Sequence, residues 1–138
     1  MMIDRSHTAF VLAIAAFVAP LSAYADEMIH VKLTDNTIQL DSDTAKAGRV
    51  TFEVNNAAND NTEHEFVVLK TDVDDAHLPV HKGLVAESRF SKIGEVEDLA
   101  QGSTKRLSLK LAPGRYVLIC NRPGHYAMGM HTSFIVAR

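Results

Sequence analysis

Residues 106–120, R-L-S-L-K-L-A-P-G-R-Y-V-L-I-C, carry two strand signals joined by a turn. Leu107, Leu109 and Leu111 alternate with Arg106, Ser108 and Lys110, the period of two that gathers apolar side chains on one face of a pleated strand. Pro113-Gly114 supplies the turn, since proline presets φ and glycine accepts positive φ. Residues 115–120 then place Tyr116, Leu118 and Cys120 on one face. A helix would instead repeat its apolar positions every three or four residues.

The same period recurs upstream. Ile29, Val31 and Leu33 alternate with Met28, His30 and Lys32, and after a turn at Asp35-Asn36 the alternation resumes at Ile38 and Leu40. Ala47-Gly48 leads into Val50, Phe52 and Val54. Residues 55–61, rich in Asn and Asp, read as a loop. Beyond it, residues 64–69 put His64, Phe66 and Val68 on one face, so His64 points inward at a strand's beginning. Downstream, residues 132–136 form the last strand, with Phe134 as its anchor. About seven to eight short strands and no long helical period predict an all-β fold, a Greek-key β-sandwich of antiparallel strands. An irregular insertion at roughly 71–101 interrupts it, and some local order packed on the sheet is expected there.

The chain has 138 residues, enough for one domain. Its formal net charge of −3 gives no basic footprint for nucleic acid and no polybasic membrane patch, so neither partner class is supported. Residues 9–18 are an apolar run, Pro20 breaks it, and Ala23-Tyr24-Ala25 has the small-x-small pattern of a signal-peptidase site. Residues 1–25 therefore read as a signal peptide cleaved after Ala25, and residues 26–138 as an exported domain. The run is shorter than the ~20 residues of a helical span, so no transmembrane segment is expected in the mature chain.

Between the last two strands lies C-N-R-P-G-H-Y-A-M-G-M, residues 120–130. Cys120 is the only cysteine, so it makes no internal disulfide, and in an exported protein a metal or burial must protect it. His125 follows five residues later and Met130 ten residues later. Given seven histidines and five methionines, two such fixed offsets arise by chance roughly once in five hundred. Allowing several loop lengths makes that about one in a hundred, which favours function over a buried structural cysteine. Thiolate, imidazole and thioether together suit copper, and two histidines with one cysteine and a weak axial methionine make a blue-copper site. The inward His64 supplies the second imidazole. Met128 competes with Met130 for the axial place.

These residues resemble the cupredoxins, the type 1 blue copper proteins, over the mature chain. The C-x4-H-x4-M spacing looks like the rusticyanin and auracyanin loop type, and H-E-F at 64–66 with C-N-R-P-G-H-Y at 120–126 is similar to small periplasmic members. The resemblance implies a cupredoxin-like sandwich holding one copper ion through His64, Cys120 and His125, with Met130 axial. It further implies a periplasmic, monomeric one-electron carrier whose partner is a redox protein such as a cytochrome or copper oxidase. One departure stands out: many members carry Asn after the first histidine, whereas here Glu65 accepts but does not donate.

Four ligands leave no open position for substrate, so no enzymatic activity is expected. Copper storage, delivery or tolerance is the alternative use of such a site. Pro79 between His77 and His81 argues against a helical ligand pair. His30 and His131 read as surface residues. Asp72, Asp74 and Asp75 lack calcium-loop spacing and read as a solvated loop.

Overall fold

The computed structural model describes residues 26–138; the signal peptide expected at 1–25 lies outside them. Among the described residues there are eleven strands: β1 (Glu27–Leu33), β2 (Ile38–Leu40), β3 (Thr44–Lys46), β4 (Gly48–Asn56), β5 (His64–Lys70), β6 (Val80–His81), β7 (Leu84–Val85), β8 (Ser91–Leu99), β9 (Thr104–Leu111), β10 (Gly114–Ile119) and β11 (His131–Ala137). One sheet has the order β2-β1-β4-β9 and the other β3-β11-β10-β5-β8, while β6 and β7 form a small hairpin. This is the predicted β-sandwich.

Pro113-Gly114 does not close a hairpin. It carries the chain from β9 in the first sheet to β10 in the second, so the two apolar faces quoted above meet across the core. Two pairings, β1 with β4 and β3 with β11, are parallel, which makes both sheets mixed rather than wholly antiparallel. Alternation reports the buried face of a strand but not the direction of its neighbour.

The inner faces bury Leu33, Val54, Phe66, Leu99, Leu118, Cys120 and Met130 together in one cluster. Phe52 stands between Phe66 and Phe134, with ring centroids 5.4 and 5.3 Å away in tilted and edge-on contact. Phe52→Ala is expected to cost about 3–5 kcal/mol by emptying that space, read as a lower midpoint of urea unfolding.

The insertion is more ordered than an irregular excursion. Its second part is β8, an edge strand whose exposed Ser91, Lys92, Glu97 and Asp98 obscure the strand signal while keeping the edge charged. Its first part holds the β6–β7 hairpin, turned by Lys82 and Gly83 at φ 50° and 79°. Leu78 and Val85 pack with Val67, Leu69, Val117, Ile119 and Tyr126 on the outer face of the second sheet. Strands β5 and β10 are thus buried on both faces, which explains their nearly unbroken apolar sequences.

Candidate metal centre

The site forms where strand ends converge. His64 opens β5, and Cys120 directly follows β10, its hydrogen-bonded neighbour. A bulge in β8 opposite Glu65, where His64 pairs with Leu99 and Phe66 with Val96, marks the start of β5, and Asp98 takes φ 48° there. Beneath it, buried Asn56 donates to the carbonyls of Thr62 and Leu99, both at 2.8 Å, and accepts from the Ala58 N–H at 3.0 Å. Those bonds fix the loop that delivers His64. The Cys120–Met130 loop closes on itself, with the Cys120 N–H bonded to the Met130 carbonyl at 3.0 Å and the Met130 N–H to the His125 carbonyl at 3.2 Å.

Three donor atoms face one another. His64 Nδ1 lies 3.2 Å from His125 Nδ1, and Cys120 Sγ lies 3.6 Å from the first and 3.4 Å from the second. The centre of that near-equilateral triangle is about 2 Å from each corner, close to metal–nitrogen and metal–sulfur bond lengths. His64 and Cys120 are buried and His125 is half-buried. Met130 is fully buried in the same cluster as Cys120, whereas Met128 is 56% exposed.

The electrostatics suit a cation. Burial lowers the His64 pKa from the ordinary imidazole value, and the facing His125 ring pushes the same way. Burial also lowers that of His125, helped by the Arg122 charge. Both rings are therefore biased toward the neutral form that binds metal. Burial raises the Cys120 pKa, opposed by the backbone N–H groups of Arg122 and Glu65. The Glu65 N–H reaches Cys120 Sγ at 3.4 Å. His64 Nε2 is the one side-chain nitrogen or oxygen among the described residues that is buried with no hydrogen-bond partner.

These donors fit one type 1 copper ion: two imidazoles and a thiolate at trigonal spacing, with a buried thioether on the same loop. Residues 7–136 match the Cupredoxin-like domain family. This chain is a cupredoxin. Its fold is similar to reduced auracyanin from Roseiflexus castenholzii (TM-score 0.61, 23% identity, 83% of this chain and 99% of that one). It is also similar to auracyanin A, a "blue" copper protein from Chloroflexus aurantiacus (0.52, 22%, 82% and 100%). Rusticyanin from Thiobacillus ferrooxidans shows the same likeness (0.55, 17%, 83% and 80%). At these identities the likeness concerns the fold. No curated protein sequence matches the chain.

The remaining candidates of this cupredoxin sort by contact. His77 and His81 belong to neither group of metal-capable side chains found among the described residues, and His77 instead bonds Asp74 at 2.9 Å. His30 is exposed on Asp41 at 2.7 Å, as a surface residue should be. His131 is not simply surface, because its ring bonds half-buried Asp75 at 2.5 Å, and Asp75 is therefore not part of a solvated loop. Glu65 joins Glu87 and Glu95 in a second group whose oxygens lie within 4.8 Å, with Lys92 Nζ 3.1 Å from Glu87 and 3.0 Å from Glu95. Burial, then the neighbouring carboxylates, raise the Glu65 pKa. Asn121 and Tyr126 carry no metal chemistry, so their contacts were not legible in the sequence. The available signal was position, each directly following a candidate ligand. Among the described residues no helix is long and apolar enough to cross a membrane.

Proposed function

We propose that this cupredoxin is a one-electron carrier in which His64, Cys120 and His125 hold a single copper ion and Met130 is its weak axial ligand. The observation that carries the reading is the triangle of donors, 3.2 to 3.6 Å on a side, closed by residues 56 and 61 positions apart in the chain. Copper bound there supplies one electron at a time by alternating between two oxidation states. The protein contributes a rigid, dry pocket. Buried His64, Cys120 and Met130 exclude water, and four ligands leave no place for a substrate. His125 is the half-buried member of the three, so its ring is the short route from the site to the surface. Exposed Met128 beside it, with Pro123 and Ala127, offers an apolar contact for a redox protein such as a cytochrome or copper oxidase.

The reading includes export: residues 1–25 are a signal peptide cleaved after Ala25, and residues 26–138 act in the periplasm as a monomer. The unpaired, buried thiol is consistent with a role as ligand in that compartment.

Adding copper(II) to the reduced, purified protein is expected to give an intense visible thiolate-to-copper band and narrow copper hyperfine splitting. Their absence would overturn the assignment. Met130→Leu keeps the packed volume, costs under about 1.5 kcal/mol and removes the thioether, so it should shift both spectrum and reduction potential. Met128→Leu should leave both as in the unaltered protein, and the reverse result would make Met128 axial. Rapid, reversible electron exchange with a cytochrome separates the carrier from a copper-delivery protein, which would pass metal to an acceptor without such exchange.

A further inference from the structure

Each ligand on the Cys120–Met130 loop is followed by a side chain that leaves the site and bonds to residues 75–87. After Cys120, the Asn121 amide treats Val85 as a strand partner: Oδ1 accepts from the Val85 N–H at 2.8 Å and Nδ2 donates to the Val85 carbonyl at 3.2 Å. The same Nδ2 donates to Glu87 Oε1 at 2.6 Å. After His125, the Tyr126 hydroxyl accepts from the Leu78 N–H at 2.9 Å and donates to the Asp75 carbonyl at 2.6 Å. After Met130, the His131 ring donates to the Asp75 carboxylate at 2.5 Å. The Gly124 N–H adds a backbone bond to the Gly83 carbonyl at 2.9 Å.

The loop's even spacing gives this pattern its regularity. Ligands at 120, 125 and 130 put their successors at 121, 126 and 131. The segment they grip is itself fixed, since Leu78 and Val85 are buried against the outer face of the second sheet. An untethered loop would lose backbone and side-chain freedom each time a metal was bound, a conformational-entropy cost set against binding. Here folding has already ordered it.

We infer that Asn121, Tyr126 and His131 are positioning residues that strap the ligand loop to residues 75–87, holding Cys120, His125 and Met130 in binding geometry before metal arrives. The inference rests on the copper reading proposed above. Supporting contacts of this kind, one shell outside the ligands, alter metal affinity about 10- to 100-fold when removed.

Two tyrosines of the full protein supply the comparison. Tyr126→Phe and Tyr116→Phe each delete one hydroxyl that donates to a backbone carbonyl, the latter to Ala112 at 2.7 Å, at the opposite end of β10 from Cys120. Hydrogen exchange of the Gly129 and Met130 amides is followed in metal-free protein, and loss of copper to a chelator in loaded protein. Tyr126→Phe is expected to speed both, copper loss by about tenfold or more. Tyr116→Phe should leave both at the unaltered value once global stability is matched. Equal effects from the two variants, or none from Tyr126→Phe, would overturn the strap. Asn121→Ser, which withdraws the amide from Val85 and Glu87, carries the same comparison should Tyr126→Phe fold poorly. If the unaltered protein shows no blue band, the copper reading fails, while the metal-free exchange still decides whether the strap holds the loop.

Discussion

Cys120→Ser is expected to abolish the intense visible band completely, whatever copper the variant still takes up. The band requires a sulfur donor whose electrons move to the metal at low energy, and a serine hydroxyl is harder and stays protonated near neutral pH. Copper held by His64 and His125 alone should be pale, with wide hyperfine splitting and much weaker retention. The substitution is small, and the Glu65 N–H that reaches Sγ at 3.4 Å offers the new hydroxyl a partner. Stability should therefore fall by only about 1–3 kcal/mol, from burying a hydroxyl where a thiol was. Spectra of the copper-treated variant, with a thermal melt as control for folding, check this. A retained blue band would remove Cys120 from the site.

The second large effect separates function from folding. His64→Leu should destroy copper binding without weakening the metal-free protein. A structural histidine in a core is satisfied by hydrogen bonds, and replacing it costs stability. His64 is fully buried with no partner at full hydrogen-bond geometry for Nε2, the Thr34 backbone giving the ring only partial compensation, and its Nδ1 faces only the other two donors. An unsatisfied buried polar group costs about 1–3 kcal/mol, which a leucine of similar volume relieves. The metal-free melting temperature should stay level or rise, by about 4 °C for each kcal/mol recovered. Copper at a thousandfold above its dissociation constant stabilises the unaltered protein by about 4 kcal/mol, and that increment should vanish in the variant. Melts with and without copper test both halves. A metal-free protein that melts several degrees lower would mark His64 as structural.

What could be read directly from the residues was whatever depends on local geometry or ligand chemistry. Period-two alternation in β1, β4 and β9 follows from the pleat, so the buried faces there, with Val31, Phe52 and Leu111 inward, needed no three-dimensional information, whereas the nearly unbroken apolar runs of β5 and β10 reflect burial on both faces. The loop from Cys120 to Met130 was legible because few metals suit thiolate, imidazole and thioether together. Strand β8 was not, because its exposed face and bulges blur the alternation. Asn121, Tyr126 and His131 were not, because amide, phenol and imidazole groups have too many ordinary uses to signal a particular partner 34 to 56 residues away.

The sequence by itself determined a sandwich of short strands and a soft, copper-suited donor set on one loop, because side-chain period and ligand type are properties of neighbouring residues. Only the tertiary structure decided which strands run parallel, that Met130 is buried and Met128 exposed, and that residues 75–87 cover one sheet and grip the loop. It also brought His64 within 3.2 Å of His125 across 61 residues. Those outcomes depend on contacts between distant segments competing for the same buried surface, and no local pattern encodes which of them wins.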